Sequence, residues 1–210
     1  MIKEDDETWF ETNLDDLWIY DKLILSRKLG YTCGPAGIDV PKPNFYIVKP
    51  CVNVLGLGLG AKKVTLEKYT MHLPHGSFWC EWFEGRHLSV DYRYGEQWLC
   101  VEGFKKKSTL IKWDKWVKTD DVVPLPKVLE QFKNKPIINC EFIGGKLIEA
   151  HFRSNPDFTS SYVIDLFFRH TSVVSDLRNE FFINQICAHL QQSFVFFSQR
   201  FCNRCGDINR

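Results

Sequence analysis

Residues 45–64 limit what this chain can fold into more than any other stretch. Phe45-Tyr46-Ile47-Val48 reads as a strand that ends at Lys49-Pro50; Gly56, Gly58 and Gly60 then recur at alternate positions, and Lys62-Lys63-Val64 resumes β-type character. A lysine where the backbone leaves a sheet is a point cation that can meet phosphate oxygens. Glycines at every second position let backbone amides approach the same oxygens with no Cβ in the way. Two familiar phosphate loops do not fit: the spacing is not GxGxxG, and Ala61 follows Gly60 where a P-loop needs lysine and a hydroxyl residue. Taken alone, the stretch also reads as a glycine-rich hairpin with a surface lysine.

The flanking pattern is mixed. Leu14, Leu17, Trp18, Ile24, Leu25 and Leu29 follow helical spacing, so a helix is expected over 14–29, capped by Asn13 and stopped by Gly30. A connector rich in glycine and proline fills 31–44. Short β-type runs are expected at 63–66, 77–83, 87–92 and 97–101, a helix over 124–134, and two further strands at 137–142 and 147–152. Helices and strands in this order indicate an α+β fold.

The chain has 210 residues and a net charge of +1, enough for one domain or two small lobes and too balanced for a bulk attraction to nucleic acid or anionic lipid. Its start is acidic and carries no apolar core of a secretory signal, and no window reaches the length of a membrane span, so a cytoplasmic protein is expected. Cys33, Cys51, Cys80, Cys100, Cys140 and Cys187 stand singly, several in apolar runs, which suits reduced core thiols; Cys202 and Cys205 form a CxxC pair.

The segment 137–153 alternates with period two, so Glu149, His151 and Arg153 share one strand face, and Asn139 and Glu141 share one face of the strand before it. Register decides whether the carboxylates meet. A three-residue loop of Gly144, Gly145 and Lys146 sets Glu141 opposite Glu149, whereas a two-residue Gly-Gly loop turns them to opposite faces. Like charges placed opposite each other need a cation between them, and two hard carboxylates with phosphate suit Mg²⁺.

The order of these features, with Cys80-Glu81-Trp82-Phe83-Glu84-Gly85-Arg86-His87 between them, resembles the ATP-grasp superfamily, of the type that joins a carboxylate to an amine. The likeness runs from about residue 18 to 157. It implies an α+β, ATP-grasp-like fold of two small lobes with an ATP cleft between them, and ATP and Mg²⁺ as cofactors. By the same resemblance Lys22 and Lys49 meet the phosphates, with Gly56, Gly58 and Gly60 as the covering flap. Glu81 and the backbone of Trp82 and Phe83 would serve adenine. His87 stands where the family often has a Glu for the ribose. Glu141, Glu149 and His151, the last at a position where Asn is usual, would hold the metal, and Arg153 would bind the acyl phosphate or phosphate oxygens. The implied reaction forms an acyl phosphate from a small-molecule or peptide carboxylate and passes it to an amine. The family's usual N-terminal substrate domain has no counterpart, so the acceptor site would be minimal, supplied by a homo-oligomer or separate subunit, or missing.

The resulting plan is an N-terminal helix and connector over 1–44, a core over 45–157 with lobes at about 45–104 and 105–157, and a tail over 158–210. Lysine vanishes from Leu147 onward. That shift fits either an added helix over roughly 173–199 or a departure from the original reading frame near Thr159. Two other readings stay open. One is a nucleotide-binding module without catalysis. The other is a nucleic-acid binder using Lys105, Lys106, Lys107, Lys112, Lys115 and Lys118 beside Trp113 and Trp116, though tryptophans packed inward under a solvated lysine segment explain that mixture more simply. Cys202 and Cys205 supply only half of a zinc site.

Overall fold

In the computed structural model, residues 5–52, 59–105 and 113–155 are described, and the chain divides between Phe158 and Thr159. Gly56, Gly58, Lys106, Lys107, Lys112, Cys187, Cys202, Cys205 and the tail over 158–210 therefore lie outside the described residues. The fold is α+β, built on two antiparallel sheets. Strands β1 (Cys33–Pro35), β2 (Asn44–Pro50), β3 (Lys62–Leu66) and β4 (Ser77–Glu81) form one sheet in the order β1-β4-β2-β3. Strands β5 (His87–Arg93), β6 (Glu96–Phe104), β7 (Lys115–Lys118), β8 (Ile138–Ile143) and β9 (Lys146–His151) form the other, in the order β7-β6-β5-β8-β9.

The strand expectations hold to within a few residues, and β1 and β7 are additional. Expectation and structure part at the helices. The single helix expected over 14–29 is two elements: a 3-10 helix at Leu14–Tyr20 and the α-helix α2 at Lys22–Lys28, with the short helix α1 (Asp5–Phe10) before them. Asp21 makes the break. Its backbone is extended (φ −89°, ψ 104°), and its carboxylate accepts from the N–H groups of Leu23 and Ile24, both at 2.9 Å, so it caps a new helix instead of continuing the old one. Asn13, expected as the cap, makes no side-chain cap bond. Gly30 does end the segment, with φ +73°. The helix expected over 124–134 is a 3-10 helix at Lys127–Phe132.

Period-two alternation sorts the five-stranded sheet into unlike faces. Val90, Tyr92, Cys100, Ile138, Cys140 and Ala150 look to one side, where Ile19, Tyr20, Leu25, Leu129 and Phe132 pack against them as the largest core cluster. The other face is polar: Ser89, Asp91 and Asn139 are almost wholly buried there. Asn139 Nδ2 donates to Ser89 Oγ at 2.9 Å and to Asp91 Oδ1 at 2.8 Å, which satisfies much of what burial would otherwise leave costly. In the smaller sheet, Tyr46, Val48 and Trp79 face one core with Val40, Leu66 and Leu73, while Phe78 and Cys80 face Leu23 of α2. Helix α2 thus packs against β1 and β4 of one sheet and against β9 of the other.

Among the described residues no helix is long and apolar enough to cross a membrane. Cys33, Cys51, Cys80, Cys100 and Cys140 are free thiols, the last three buried. Burial pushes the thiol of Cys80 up to about 12 and that of Cys100 up to about 11.

Candidate functional site

Lys49 leaves β2 on the face it shares with Ile47, opposite Phe78 in the neighbouring strand. Its ammonium reaches across to the second sheet, where Nζ donates to the carbonyl of Ile148 at 3.4 Å and lies 3.8 Å from Glu149 Oε1. Lys22, the first residue of α2, meets the same oxygen at 2.7 Å. Its side chain is 6 % exposed, although a helix-surface lysine is usually solvated. Two features hold it there: the Asp21 cap sets the helix start, and the N–H of Lys22 donates to the Cys51 carbonyl at 2.8 Å, at the root of the glycine-rich connection.

The carboxylate they converge on owes its place to a bulge. The turn between β8 and β9 is the two-residue Gly144-Gly145, pairing Ile143 with Lys146 and Phe142 with Leu147. A regular ladder continued from that turn would put Glu149 on the face away from Glu141. Instead an extra residue, Ile148, interrupts the ladder, and Glu141 pairs with Glu149 and Asn139 with His151. The expected pairing is therefore present while the expected three-residue loop is not. The bulge also leaves the Ile148 carbonyl available to Lys49.

Glu149 is surrounded by donors. His151 Nε2 is 3.4 Å from its Oε2, while Lys22 and Lys49 face Oε1. Burial by itself raises a carboxyl pKa, but Lys22, the hydrogen bond with His151, and Lys49 together hold Glu149 well below the usual range. Lys49 is shifted down, first by burial and then by Lys22, against the pull of Glu149. The cation that opposing glutamates require is thus present as lysine.

His87 is buried, and its Nε2 lies 3.2 Å from Glu141 Oε2. Trp113 packs on the imidazole at a tilt of 50°, with ring centroids 4.3 Å apart, and Trp116 lies 5.8 Å away. Gly103, opposite His87 in β6, makes room for this: a Cβ there would sit 2.7 Å from two carbons of Trp113. Sequence reasoning expected these tryptophans to pack inward and did not pair them with His87. The glycine in an otherwise bulky strand was the available signal.

The adenine-side residues are arranged separately. Glu81 ends β4 opposite Tyr46, on the strand face turned away from Lys49, and its Oε1 accepts from the Thr32 N–H at 2.9 Å. Trp82 stacks on Lys63, whose Nζ is 4.3 Å from the ring centroid, and Phe83 packs edge-on to Tyr31 at 4.8 Å. The segment from Glu84 to Arg86 crosses the β8–β9 turn closely, with Gly144 N–H donating to the Arg86 carbonyl at 2.9 Å. Gly60, the described member of the glycine run, has φ +80°, and a Cβ there would sit 3.3 Å from the Pro50 ring. Arg153 is buried, donates to the Ser154 carbonyl at 3.1 Å and acts electrostatically on Asp91. The structure therefore brings Lys22, Lys49, Glu141, Glu149, His151 and His87 into one region, and gives Glu81 and Arg153 other immediate partners.

Solved structures that the chain partly resembles include one described as an ATP-grasp superfamily protein, from Archaeoglobus fulgidus (17 % identity, TM-score 0.42, covering 70 % of this chain and 50 % of that one). D-alanine–D-alanine ligase from Bacillus anthracis is another (15 %, TM-score 0.41, 66 % and 58 %). The ATP-grasp ligase PsnB in complex with a minimal precursor is a third (11 %, TM-score 0.38, 68 % and 55 %). The chain spans between 50 % and 58 % of the length of these three structures. Neither protein-family models nor the curated proteins gave a match.

Proposed function

We propose that this chain binds ATP with Mg²⁺ and supports an ATP-dependent ligation in which a carboxylate is activated as an acyl phosphate. The observation that carries this reading is the meeting of Lys22, from α2, and Lys49, from β2, on a β9 carboxylate that stands directly opposite Glu141. Two buried ammonium groups beside paired carboxylates form a site that a triphosphate and a divalent ion can complete together.

The donor set fits such an ion. Glu141 of β8 and Glu149 of β9 offer hard oxygens on one face of the sheet, and among the described residues no group of three His, Cys, Asp or Glu side chains holds a metal unaided. Phosphate oxygens or water would complete the shell. When bound, the ion supplies charge stabilisation at the transferring phosphoryl group. The chain's own residues do the rest. Lys22 and Lys49 neutralise phosphate charge in a region shielded from water, where such contacts count for more than in bulk. The bulge at Ile148 holds Glu149 in register. The carboxylate substrate attacks the γ-phosphorus, the bond to the β-phosphate oxygen breaks to release ADP, and an amine then displaces phosphate from the acyl carbon. Arg153 is the chain's candidate for the acyl phosphate, once drawn from its neighbours. The carboxylate and amine substrates are small molecules or peptides.

A second reading, a nucleotide-binding module without turnover, has its own support. His87 is packed beneath Trp113 and tied to Glu141, and Glu81 is engaged by Thr32, so the two positions assigned to ribose and adenine are held by the chain itself. A screen for ADP release over mixtures of carboxylic acids and amines separates the two. Acid-dependent ADP release supports ligation, and ATP binding without release in any mixture supports the module.

A further inference from the structure

Both oxygens of Glu149 already face donors of the chain. Lys22 Nζ lies 2.7 Å and Lys49 Nζ 3.8 Å from Oε1, and His151 Nε2 lies 3.4 Å from Oε2. The Lys22 and Glu149 side chains are only 6 % and 18 % exposed, so water compensates little of either charge when the other is withdrawn. A divalent ion arriving by itself would have to take Glu149 from Lys22 and leave a buried ammonium without a partner. A nucleotide arriving by itself would draw Lys22 and Lys49 to its phosphates and leave the Glu149 carboxylate with His151 alone, beside Glu141. Removing one member of a buried pair strands the other in a medium that solvates it poorly, which costs far more than exchanging both partners at once. If the ion and the triphosphate arrive together, Lys22 passes to phosphate, Glu149 passes to the metal, and every charge stays matched.

Resting on the nucleotide reading above, we propose that Lys22 is a resident counter-ion that keeps the metal position closed until a nucleotide takes the lysine away, so metal and nucleotide bind as a coupled pair. The fold provides for the exchange. The N–H of Lys22 is fixed to the Cys51 carbonyl, and Asp21 fixes the helix start, so only the side chain has to move. Cys51 is also the last strand-side anchor before the glycine-rich connection, with its own N–H bonded to the Gly76 carbonyl at 2.9 Å, so Lys22 stands at the root of the segment expected to cover the phosphates.

The test is calorimetric titration of Mn²⁺, as a stand-in for Mg²⁺, into the full chain, with and without a saturating non-hydrolysable ATP analogue. Lys22→Met and the milder Lys22→Gln are titrated alongside, each checked for folding by circular dichroism. The wild type should bind Mn²⁺ at least a hundredfold more tightly with the analogue present, after correction for Mn²⁺ bound by the analogue in solution. Without nucleotide, either lysine variant should bind Mn²⁺ at least tenfold more tightly than the wild type. Equal or weaker Mn²⁺ binding by a folded variant, with analogue binding intact in the wild type, overturns the counter-ion role alone. If neither variant folds, tight nucleotide-free Mn²⁺ binding by the wild type overturns it. An analogue that gives no heat with the wild type under any condition instead removes the nucleotide reading on which the proposal stands.

Discussion

Replacing Gly144 by alanine isolates the contact between the Glu84–Arg86 segment and the β8–β9 turn. Gly144 has φ +54°, and a Cβ built there would lie 2.2 Å from the Glu84 carbonyl oxygen, a distance no real pair of such atoms tolerates. Gly145, its neighbour, has φ +77° and nothing within 4 Å of the same position. Both substitutions force an L-residue into the left-handed region, at about 1–2 kcal/mol. Only Gly144→Ala must also push the two segments apart, which at the scale of an overpacked contact adds about 1–3 kcal/mol. The difference between the variants therefore measures the crossing itself. Urea unfolding followed by far-ultraviolet circular dichroism should show Gly144→Ala less stable than Gly145→Ala by roughly 1–3 kcal/mol, with an unchanged dependence on denaturant. Equal losses in the two variants would show that the segments do not meet as described.

Acidification should act through Glu149. Its folded-state pKa is depressed, so the stability it contributes is present above the unfolded carboxylate value of about 4.3 and is lost as pH falls toward the lower folded value. Unfolding titrations of Glu149→Gln should show a shallower loss in that window, by up to about 1.4 kcal/mol per pH unit, and an unchanged slope would contradict the assignment. Asp21→Ala removes both cap bonds of α2 and should cost about 1 kcal/mol in thermal unfolding, with a larger relative loss in nucleotide affinity because Lys22 is the next residue. Gly103→Ala should dislodge Trp113 from His87 and shift tryptophan emission to the red, and an unchanged spectrum would place Trp113 elsewhere. Cys80 and Cys100, buried and shifted up to about 12 and about 11, should resist thiol reagents at pH 8 in the native protein and react once it is unfolded.

Much of the sheet architecture was legible because strand alternation and glycine-rich turns are local signals. Tyr46 to Lys49, Ser77 to Glu81 and the β8–β9 hairpin could be read from residue types alone, whereas the opposition of Glu141 and Glu149 stayed open between two loop lengths. The means of that opposition could not be read. A bulge at Ile148 depends on a tertiary partner, the Lys49 ammonium that takes its carbonyl, and nothing in the local sequence marks it. Likewise, apolar spacing over 14–29 satisfies a continuous helix. The break at Asp21 becomes favourable because a cap aspartate and the Cys51 carbonyl together reward an interruption. The burial of Lys22 was not legible for the same reason, since it is set by Glu149, 127 positions away in sequence. The positions assigned to adenine and ribose followed from resemblance, and the contacts of Glu81 with Thr32 and of His87 with Trp113 arise from chain segments that the resemblance does not constrain.

Nucleotide-dependent thermal stabilisation, measured with ATP and Mg²⁺ on the wild type, Lys49→Ala and Glu149→Gln, tests most directly whether the strand-end lysine and the hairpin carboxylate serve one ligand. At a hundred times the dissociation constant a ligand stabilises its protein by about 2.7 kcal/mol, well within reach of a melting curve. The wild type should shift upward and both variants should lose the shift. The same upward shift in all three proteins would contradict a shared site.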